Sequence, residues 1–272
     1  MLIHGKYATA VCYASVIEDD AVEQIRRMCD HEFTKGSHIS IMPDVHAWKG
    51  CTIGTTMTVI DKVVPNIVGV DIGYGMYTIR LNEKVVDFAR IDEAAHFIPS
   101  GKNVWESNPE TFDFEALRCC HELKSIPRLQ CSLGTLGGGN HFIEVDRGSD
   151  GALYLVIHTG SRNLGTQVAN YYQKLAVELH SGKEKFFRQR EALIAEYKAA
   201  GRLMSRTVAK KSISIEEYAK AMEGIYTTCV GLDTLDEVPV AYKSIDNILD
   251  DIKESVDVID ILKPVYNFKA SE

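Results

Sequence analysis

Long hydrophobic runs are absent from this sequence, and so is the start of a typical secreted protein. The longest apolar stretches, such as Ala152 to Ile157, are far shorter than the roughly 20 residues that a transmembrane helix needs. No extended hydrophobic region follows Met1 to Lys6, as it would in a signal peptide. We therefore expect a soluble protein of the cytoplasm with no membrane partner.

Cysteine is present, but without the spacing of a disulfide framework. The seven cysteines are an odd number, none forms a Cys-x-x-Cys pair, and Cys119 and Cys120 are adjacent. Small secreted domains held by disulfides show a different pattern. We predict reduced thiols that are mostly buried.

Linkers, repeats and excess positive charge are also missing. No Pro- or Ser-rich segment and no repeat of fixed period divides the 272 residues, so a single domain over residues 1–272 is the simplest arrangement. The net charge of -8 argues against a uniformly basic surface for nucleic acid. A local basic groove is compatible with that charge, so RNA is not excluded as a partner.

Hydrophobic patterns predict an α+β fold with a strand-rich first half and a helical second half. Runs rich in β-branched residues predict strands at Cys51 to Ile60, Asn66 to Val70, Met76 to Leu81 and Ala152 to Ile157. Helical spacing of apolar residues predicts helices at Ala21 to Cys29, Gly165 to Ala200 and Ile245 to Leu262. Ser214 with Glu217 three residues later predicts the capped start of another helix.

The segment Met42 to His46 places a carboxylate and an imidazole two residues apart, at Asp44 and His46. On an extended chain both side chains would point to the same face, where they could orient one another or bind one metal. A surface turn after Pro43, in which Asp44 bonds to its own backbone, is the alternative. This motif alone does not decide between them.

Three segments place a metal-type ligand where an apolar run meets a glycine-rich turn. The ligands are Asp71, His141 and His158. Arg162 follows His158 in a turn suited to binding phosphate, and the glycines before His141 lack the Lys and Ser/Thr of a Walker loop. Each segment alone is equally consistent with a tight structural turn. Together they favour a site that binds a divalent metal and handles phosphate.

These motifs resemble the RtcB family of RNA ligases. The similar stretches are MPDVHAWKGCTIG, VGVDIGYGM, LGTLGGGNHFIEV, HTGSRNLG, AGRLMSRTVAKK, and VPVAYKSID through KPVYNFKASE. The resemblance implies a GTP- and Mn²⁺-dependent enzyme of tRNA splicing or RNA repair. Such an enzyme joins an RNA 2′,3′-cyclic phosphate or 3′-phosphate end to a 5′-hydroxyl end, through GMP–histidine and GMP-activated RNA intermediates. The need for an activating protein partner stays open.

Motif positions imply a role for individual residues. The implied metal ligands are Asp71, His141 and His158. The implied catalytic residues are Asp44, Arg162 and Arg202. Of these, Asp44 would orient the guanylylated histidine. The implied nucleotide contacts are Asn140, Glu144, Tyr242 and Lys269. Of these, Tyr242 would stack on guanine. RNA phosphate contacts are implied for Arg162 and Arg206.

Two positions depart from the family pattern. Tyr74 replaces a cysteine metal ligand, so a bulky phenol stands where a soft thiolate is expected. Lys198 stands where the family has its nucleophilic histidine. Lysine is a nucleophile in other nucleotidyl transferases, but it needs a lowered pKa to attack at neutral pH. The sequence shows no device that would lower it.

Sequence is also missing relative to the family. A large block normally separates the His158 motif from the Arg202 motif, and here the break falls near residues 198–200. A natural deletion, an engineered deletion, or residues not included in this sequence would all produce such a break. The chain could therefore be an RNA ligase completed by other residues, or an inactive or partial relative that binds metal with nucleotide or RNA ends. A metal-dependent cyclic phosphodiesterase is a third hypothesis, because a bound cation suffices to activate water.

Overall fold

Two four-stranded sheets and eight α-helices form the part of the chain that the structure describes. The computed structural model describes residues 1–48, 51–60, 64–69, 72–107, 110–179 and 206–269. This combination confirms the α+β fold. None of the described helices is long and apolar enough to cross a membrane. The contacts group the chain into two compact units, which are described separately.

The first unit comprises Met1–Ile67, Gln173–Ser212 and Val238–Val258. Its sheet contains, in spatial order, β1 (Leu2–His4), β2 (Thr9–Cys12), β3 (Ile39–His46) and β4 (Ile53–Met57). Strands β2 and β3 are parallel, and helix α1 (Asp19–Cys29) provides the crossover that parallel strands require. The other pairs are antiparallel.

The core of the first unit lies between α1 and its sheet. Ile25 and Met28 on α1 pack with Ile41 and Val45 on β3, and all four side chains are buried. On α1, Asp19 and Asp20 lie in the first turn, and Arg26 and Arg27 lie in the last turn, which complements the helix dipole. The sheet therefore holds β3, which carries Asp44, in a fixed position.

The second unit comprises Val68–Tyr172, Ile213–Glu237 and Ile259–Glu272. Its antiparallel sheet has the order β5-β7-β6-β8, formed by β5 (Gly75–Arg80), β6 (Phe142–Arg147), β7 (Leu153–Thr159) and β8 (Lys263–Lys269). Val145, Leu153, Tyr266 and Phe268 form its buried core. The register places His158 opposite Phe142, and Phe142 opposite Lys269, so three predicted motifs meet at one end of the sheet.

The remaining helices, numbered in chain order, are mostly short. They are α2 (Pro65–Val68), α3 (Phe88–Phe97), α4 (Ile126–Cys131), α5 (Arg162–Leu179), α6 (Arg206–Ser212), α7 (Ile215–Ala221) and α8 (Ile245–Ile252). Helix α7 starts with the predicted cap, since Glu217 N donates to Ser214 Oγ at 3.2 Å and Ser214 N donates to Glu217 Oε2 at 2.8 Å. The cysteines in the structure are free, and four of the seven are buried, as predicted.

One predicted strand is wrong, and one predicted helix is too long. Residues 66–69 do not form a strand, because Pro65 suits the first turn of a helix and Gly69, at φ +86°, ends that turn; Val70 lies outside the described residues. The helix predicted for Ile245 to Leu262 stops at Ile252, where carboxylates in its last turn oppose the helix dipole and β-branched residues follow. The predicted helix from Gly165 is observed as far as Leu179, and its continuation lies outside the described residues.

Candidate functional site

A hydrogen bond to the backbone orients the ring of His158, one of the predicted metal ligands. It is 7% exposed near the end of β7, and its Nδ1 lies 3.0 Å from the carbonyl oxygen of Gly75. A carbonyl oxygen only accepts, so Nδ1 carries the hydrogen and Nε2 keeps its lone pair in the neutral ring. Metal-binding histidines are commonly oriented by a bond of this kind.

His141 packs against His158 in the same unit. The two ring centroids are 5.4 Å apart in an edge-to-face arrangement, and His141 is 4% exposed. The amide Nδ2 of Asn140 lies 3.3 Å from His158 Nε2, so this amide donates to the nitrogen that would face a metal. Metal–nitrogen bonds of about 2.0–2.1 Å are compatible with two imidazoles this close that share one ion.

Tyr74 lies beside this pair. Its ring contacts His158 edge-on, with centroids 5.8 Å apart, and 64% of the residue is exposed. Tyr74 therefore lies next to His158, and its implied place at a ligand position stays a prediction. A phenol there adds bulk to the opening of the site without supplying a thiolate ligand.

The third predicted ligand, Asp71, lies outside the described residues. Among the residues that are described, no three His, Cys, Asp or Glu side chains come together as a metal-binding group. His141 and His158 alone make an incomplete set. Their chemistry fits a borderline divalent cation, and one carboxylate would complete a common ligand combination.

Gly137 forms the floor beneath His141 and Arg162. Its φ is +95°, and a β-carbon at this position would collide with both the Arg162 guanidinium and the His141 ring. Glycine is required here for its backbone conformation and for space. The close approach brings the predicted phosphate-binding arginine next to a predicted metal ligand.

Arg162 begins α5 with φ +58°, a left-handed conformation that few non-glycine residues adopt. One guanidinium nitrogen, Nη2, donates to the carbonyl oxygen of Gly101. Such a conformation costs on the order of 1–3 kcal/mol and is concentrated at functional sites. The guanidinium is thereby directed toward the end of the sheet that carries the histidines.

Glu144 is a buried carboxyl group on β6 whose pKa is raised to about 7 by burial, with a contribution from the nearby Asp146 carboxylate. Asn267 lies opposite it on β8 and donates from Nδ2 to Glu144 Oε1 at 2.6 Å. Near neutral pH this carboxyl can both accept hydrogen bonds and exchange a proton. Those properties suit a contact with the polar edge of a base.

Lys269 forms a buried ion pair with Glu237. Their Nζ and Oε2 atoms are 2.9 Å apart, and the side chains are 13% and 5% exposed. The pair fixes the ammonium group at the end of β8, which is the strand end nearest Phe142 and His158 by register. Neither Glu237 nor Asn267 was predicted. The pairing of β6 with β8 reveals Asn267, and the ion pair between β8 and the 3₁₀ turn at Leu235–Glu237 reveals Glu237.

Two predicted residues, Asp44 and Tyr242, belong to the first unit. Asp44 is exposed on β3, whereas His46 is buried and its Nδ1 bonds to the Asp44 carbonyl oxygen at 2.8 Å. The pairing register between β3 and β4 shifts between Ile41 and His46. Asp44 and His46 therefore lie on the same strand, but one side chain is exposed and the other is buried. Burial lowers the pKa of His46.

Lys243, which was not predicted, fixes the backbone around Asp44. Its Nζ donates to the carbonyl oxygens of Val16, Pro43 and Val45 at 2.8, 3.0 and 2.9 Å. Two of those carbonyls flank Asp44. The neighbouring Tyr242 is half-buried after a short 3₁₀ turn at Pro239–Ala241.

The other predicted positions are not placed by the described side chains. Arg206 begins α6, and its side chain lies outside the described part of the chain. Arg202, Lys198 and the predicted break near residues 198–200 also lie outside the described residues. Their implied roles stay predictions.

Comparison with known proteins places the chain in one family. The family described as tRNA-splicing ligase RtcB matches residues 24–116, 108–199 and 188–270. The RNA-splicing ligase RtcB of Escherichia coli strain K12 is 32% identical over 185 residues, which cover 59% of this chain and 45% of that protein. The tRNA-splicing ligase RtcB of Archaeoglobus fulgidus is 31% identical over 209 residues, covering 56% and 43%. The chain thus spans less than half the length of these relatives. Because the family match extends over most of its residues, the chain belongs to the RtcB family.

Proposed function

We propose that this chain is an RNA ligase that joins RNA 2′,3′-cyclic phosphate or 3′-phosphate ends to 5′-hydroxyl ends, using GTP and Mn²⁺. The observation that carries the proposal is the cluster of Asn140, His141 and His158 with Arg162 packed over Gly137. It combines imidazole ligands, an amide and a guanidinium at one end of one sheet. Metal-assisted phosphoryl transfer uses these groups.

The side chains divide the work by their chemistry. His141 and His158, together with Asp71, would hold Mn²⁺, which when bound would supply Lewis acidity at phosphoryl oxygens. Arg162 would bind an RNA end phosphate through its planar fork of N–H donors. Glu144 would accept hydrogen bonds from the N–H groups of guanine, held in place by Asn267.

Lys269 would donate hydrogen bonds to the nucleotide from its ammonium group, and Glu237 balances the charge of that group in the buried pair. The nucleophilic histidine of the family is absent at Lys198, so guanylylation would need either a histidine from residues that are not in this sequence or Lys198 itself with a lowered pKa. Tyr74 and Lys198 favour the second candidate, a relative that binds metal with nucleotide or RNA ends and does not join them.

The test is incubation of mass-verified protein with α-radiolabelled GTP and Mn²⁺, followed by denaturing electrophoresis and acid treatment. An acid-labile GMP adduct is expected on a protein whose intact mass exceeds 30.3 kDa. A protein of 30.3 kDa that forms no adduct would support the non-ligating relative. Opening of a cyclic phosphate without GTP would indicate the phosphodiesterase.

A further inference from the structure

A basic cavity lies next to Arg162 in the second unit. Its volume is about 220 Å³, and it is bounded by the 101–104 loop, by residues 124–132 and by the start of α5. The positively charged lining residues are Lys102, Lys124, Arg128 and Arg162. No acidic residue lines it among the described residues. On a chain with a net charge of -8, this is a local reversal of sign.

The two arginines converge on one piece of backbone. Arg128 Nη2 donates to the carbonyl oxygen of Lys102 at 2.7 Å, and Arg162 Nη2 donates to that of Gly101. These carbonyls belong to consecutive residues, so both guanidinium groups are anchored on the same stretch of the 101–104 loop. Like charges that line one cavity repel, and an anion bound in the cavity would offset the repulsion.

The arginines could serve only to fasten the 101–104 loop. Lys102 and Lys124 argue against that simpler explanation, because both side chains are exposed and neither ammonium group makes a hydrogen bond or ion pair within the described part of the chain. Fastening the loop does not require them. Their presence on the same cavity wall indicates a ligand that attracts several cations.

The size and chemistry of the cavity identify that ligand. Pockets for drug-sized molecules measure about 300–1,000 Å³, so this smaller cavity suits a phosphate with part of its sugar. Arginine forks and lysine point charges are the usual phosphate partners. The residues assigned to GTP, such as Glu144 and Lys269, are on β6 and β8 and do not line it.

We propose that this cavity binds a backbone phosphate of single-stranded RNA, adjacent to the end phosphate that Arg162 would hold. The inference rests on the proposed function, which supplies the RNA end whose phosphate Arg162 would hold. It adds Lys102, Lys124 and Arg128 as RNA contacts. An RNA strand entering the site would therefore pass over the 101–104 loop. Phosphate contacts of this kind fix the register of the strand without reading its sequence.

The experiment measures fluorescence anisotropy of a short unstructured RNA with a 3′-phosphate and a labelled internal position, over a range of salt concentrations. The variant Lys102→Ala/Lys124→Ala should bind roughly tenfold more weakly, and its log–log salt slope should be shallower by about 0.7 for each phosphate that it no longer neutralises. Arg128→Lys keeps the charge but not the fork, so it should weaken binding less than the double variant. Arg147→Ala is the matched control, because this exposed arginine is at the opposite end of β6 and is not a lining residue.

The outcomes separate this inference from the proposed function. Equal RNA affinity and equal salt slope in the double variant and the parent would overturn the inference, even if the parent ligates RNA. Loss of GTP binding instead of RNA binding would also overturn it. If the parent forms no GMP adduct and the double variant still binds RNA more weakly, the cavity is supported and the ligase function fails. A parent that does not bind RNA would refute both.

Discussion

Replacement of Lys269 by methionine should destabilise the second unit strongly, because it removes one member of a buried ion pair. Lys269 Nζ and Glu237 Oε2 are 2.9 Å apart, and neither side chain exposes more than 13% of its surface. At an effective dielectric constant of about 20, charges at this distance attract by about 6 kcal/mol. Desolvation of the two ions opposes most of that attraction, so the intact pair contributes little net stability.

Removing the lysine alone leaves the buried Glu237 carboxylate without the Lys269 ammonium group that lies 2.9 Å from it. Loss of one member of such a pair costs about 3–5 kcal/mol, and we expect Lys269→Met to lower the free energy of unfolding by that amount. Replacing both residues, as in Lys269→Met/Glu237→Leu, removes the charge as well as its partner. The double variant should recover most of the stability.

The assay is urea unfolding monitored by tryptophan fluorescence. The chain has two tryptophans, Trp48 in the first unit and Trp105 in the second, so a Trp48→Phe background reports on the second unit alone. A loss of less than about 1 kcal/mol in the single variant would contradict the burial argument. Additive losses in the double variant would show that the two charges are not coupled.

Three further predictions concern the site. The pKa of Glu144 is raised from 4.5 to about 7, so ionisation of this carboxyl disfavours the folded state. The free energy of unfolding, measured with urea, should therefore fall as the pH rises from about 4.5 to 7. Glu144→Gln should flatten this part of the plot of stability against pH. An unchanged slope would contradict the assignment. Gly137→Ala should reduce stability and phosphate binding more than Gly151→Ala. Both glycines have positive φ, but of the two only Gly137 has no room for a β-carbon. Equal losses of stability by urea unfolding would show that backbone strain alone matters. Tyr74→Cys should raise the Mn²⁺ occupancy measured by metal analysis, because it supplies a thiolate beside His158. Adding His158→Ala should abolish the gain. An occupancy that does not rise would mean that Tyr74 is not at a ligand position.

The sequence was sufficient to predict the α+β fold and several of the regular elements. Strand β7 and helix α1 follow from apolar spacing, and the cap of α7 follows from Ser214 and Glu217. Failures occurred where local composition was ambiguous, as in the short apolar run after Pro65, which forms a helical turn. Propensity alone cannot distinguish a short strand from one turn of helix.

The candidate site was predicted in part. Motifs identified His141, His158 and Arg162, and the structure places them close together, although their roles stay predictions. The supporting groups could not be predicted, because a ligand's orientation depends on partners far away in sequence. The Gly75 carbonyl that orients His158 comes from a different strand, and Asn267 becomes a partner of Glu144 only through strand register.

The pairing of β6 with β8 also determines when this site can form during protein synthesis. Glu144 and Asn267 are separated by 123 positions, so the ribosome must make all the intervening residues before the carboxyl group meets its amide partner. Contacts between distant positions form late and slow the folding of a domain. The two histidines, by contrast, lie just before β6 and on the adjacent β7, only 17 positions apart in sequence, His141 to His158. A nascent chain would therefore bring the two histidines together before Glu144 meets Asn267, because the sheet is complete only after its last strand, β8, has joined.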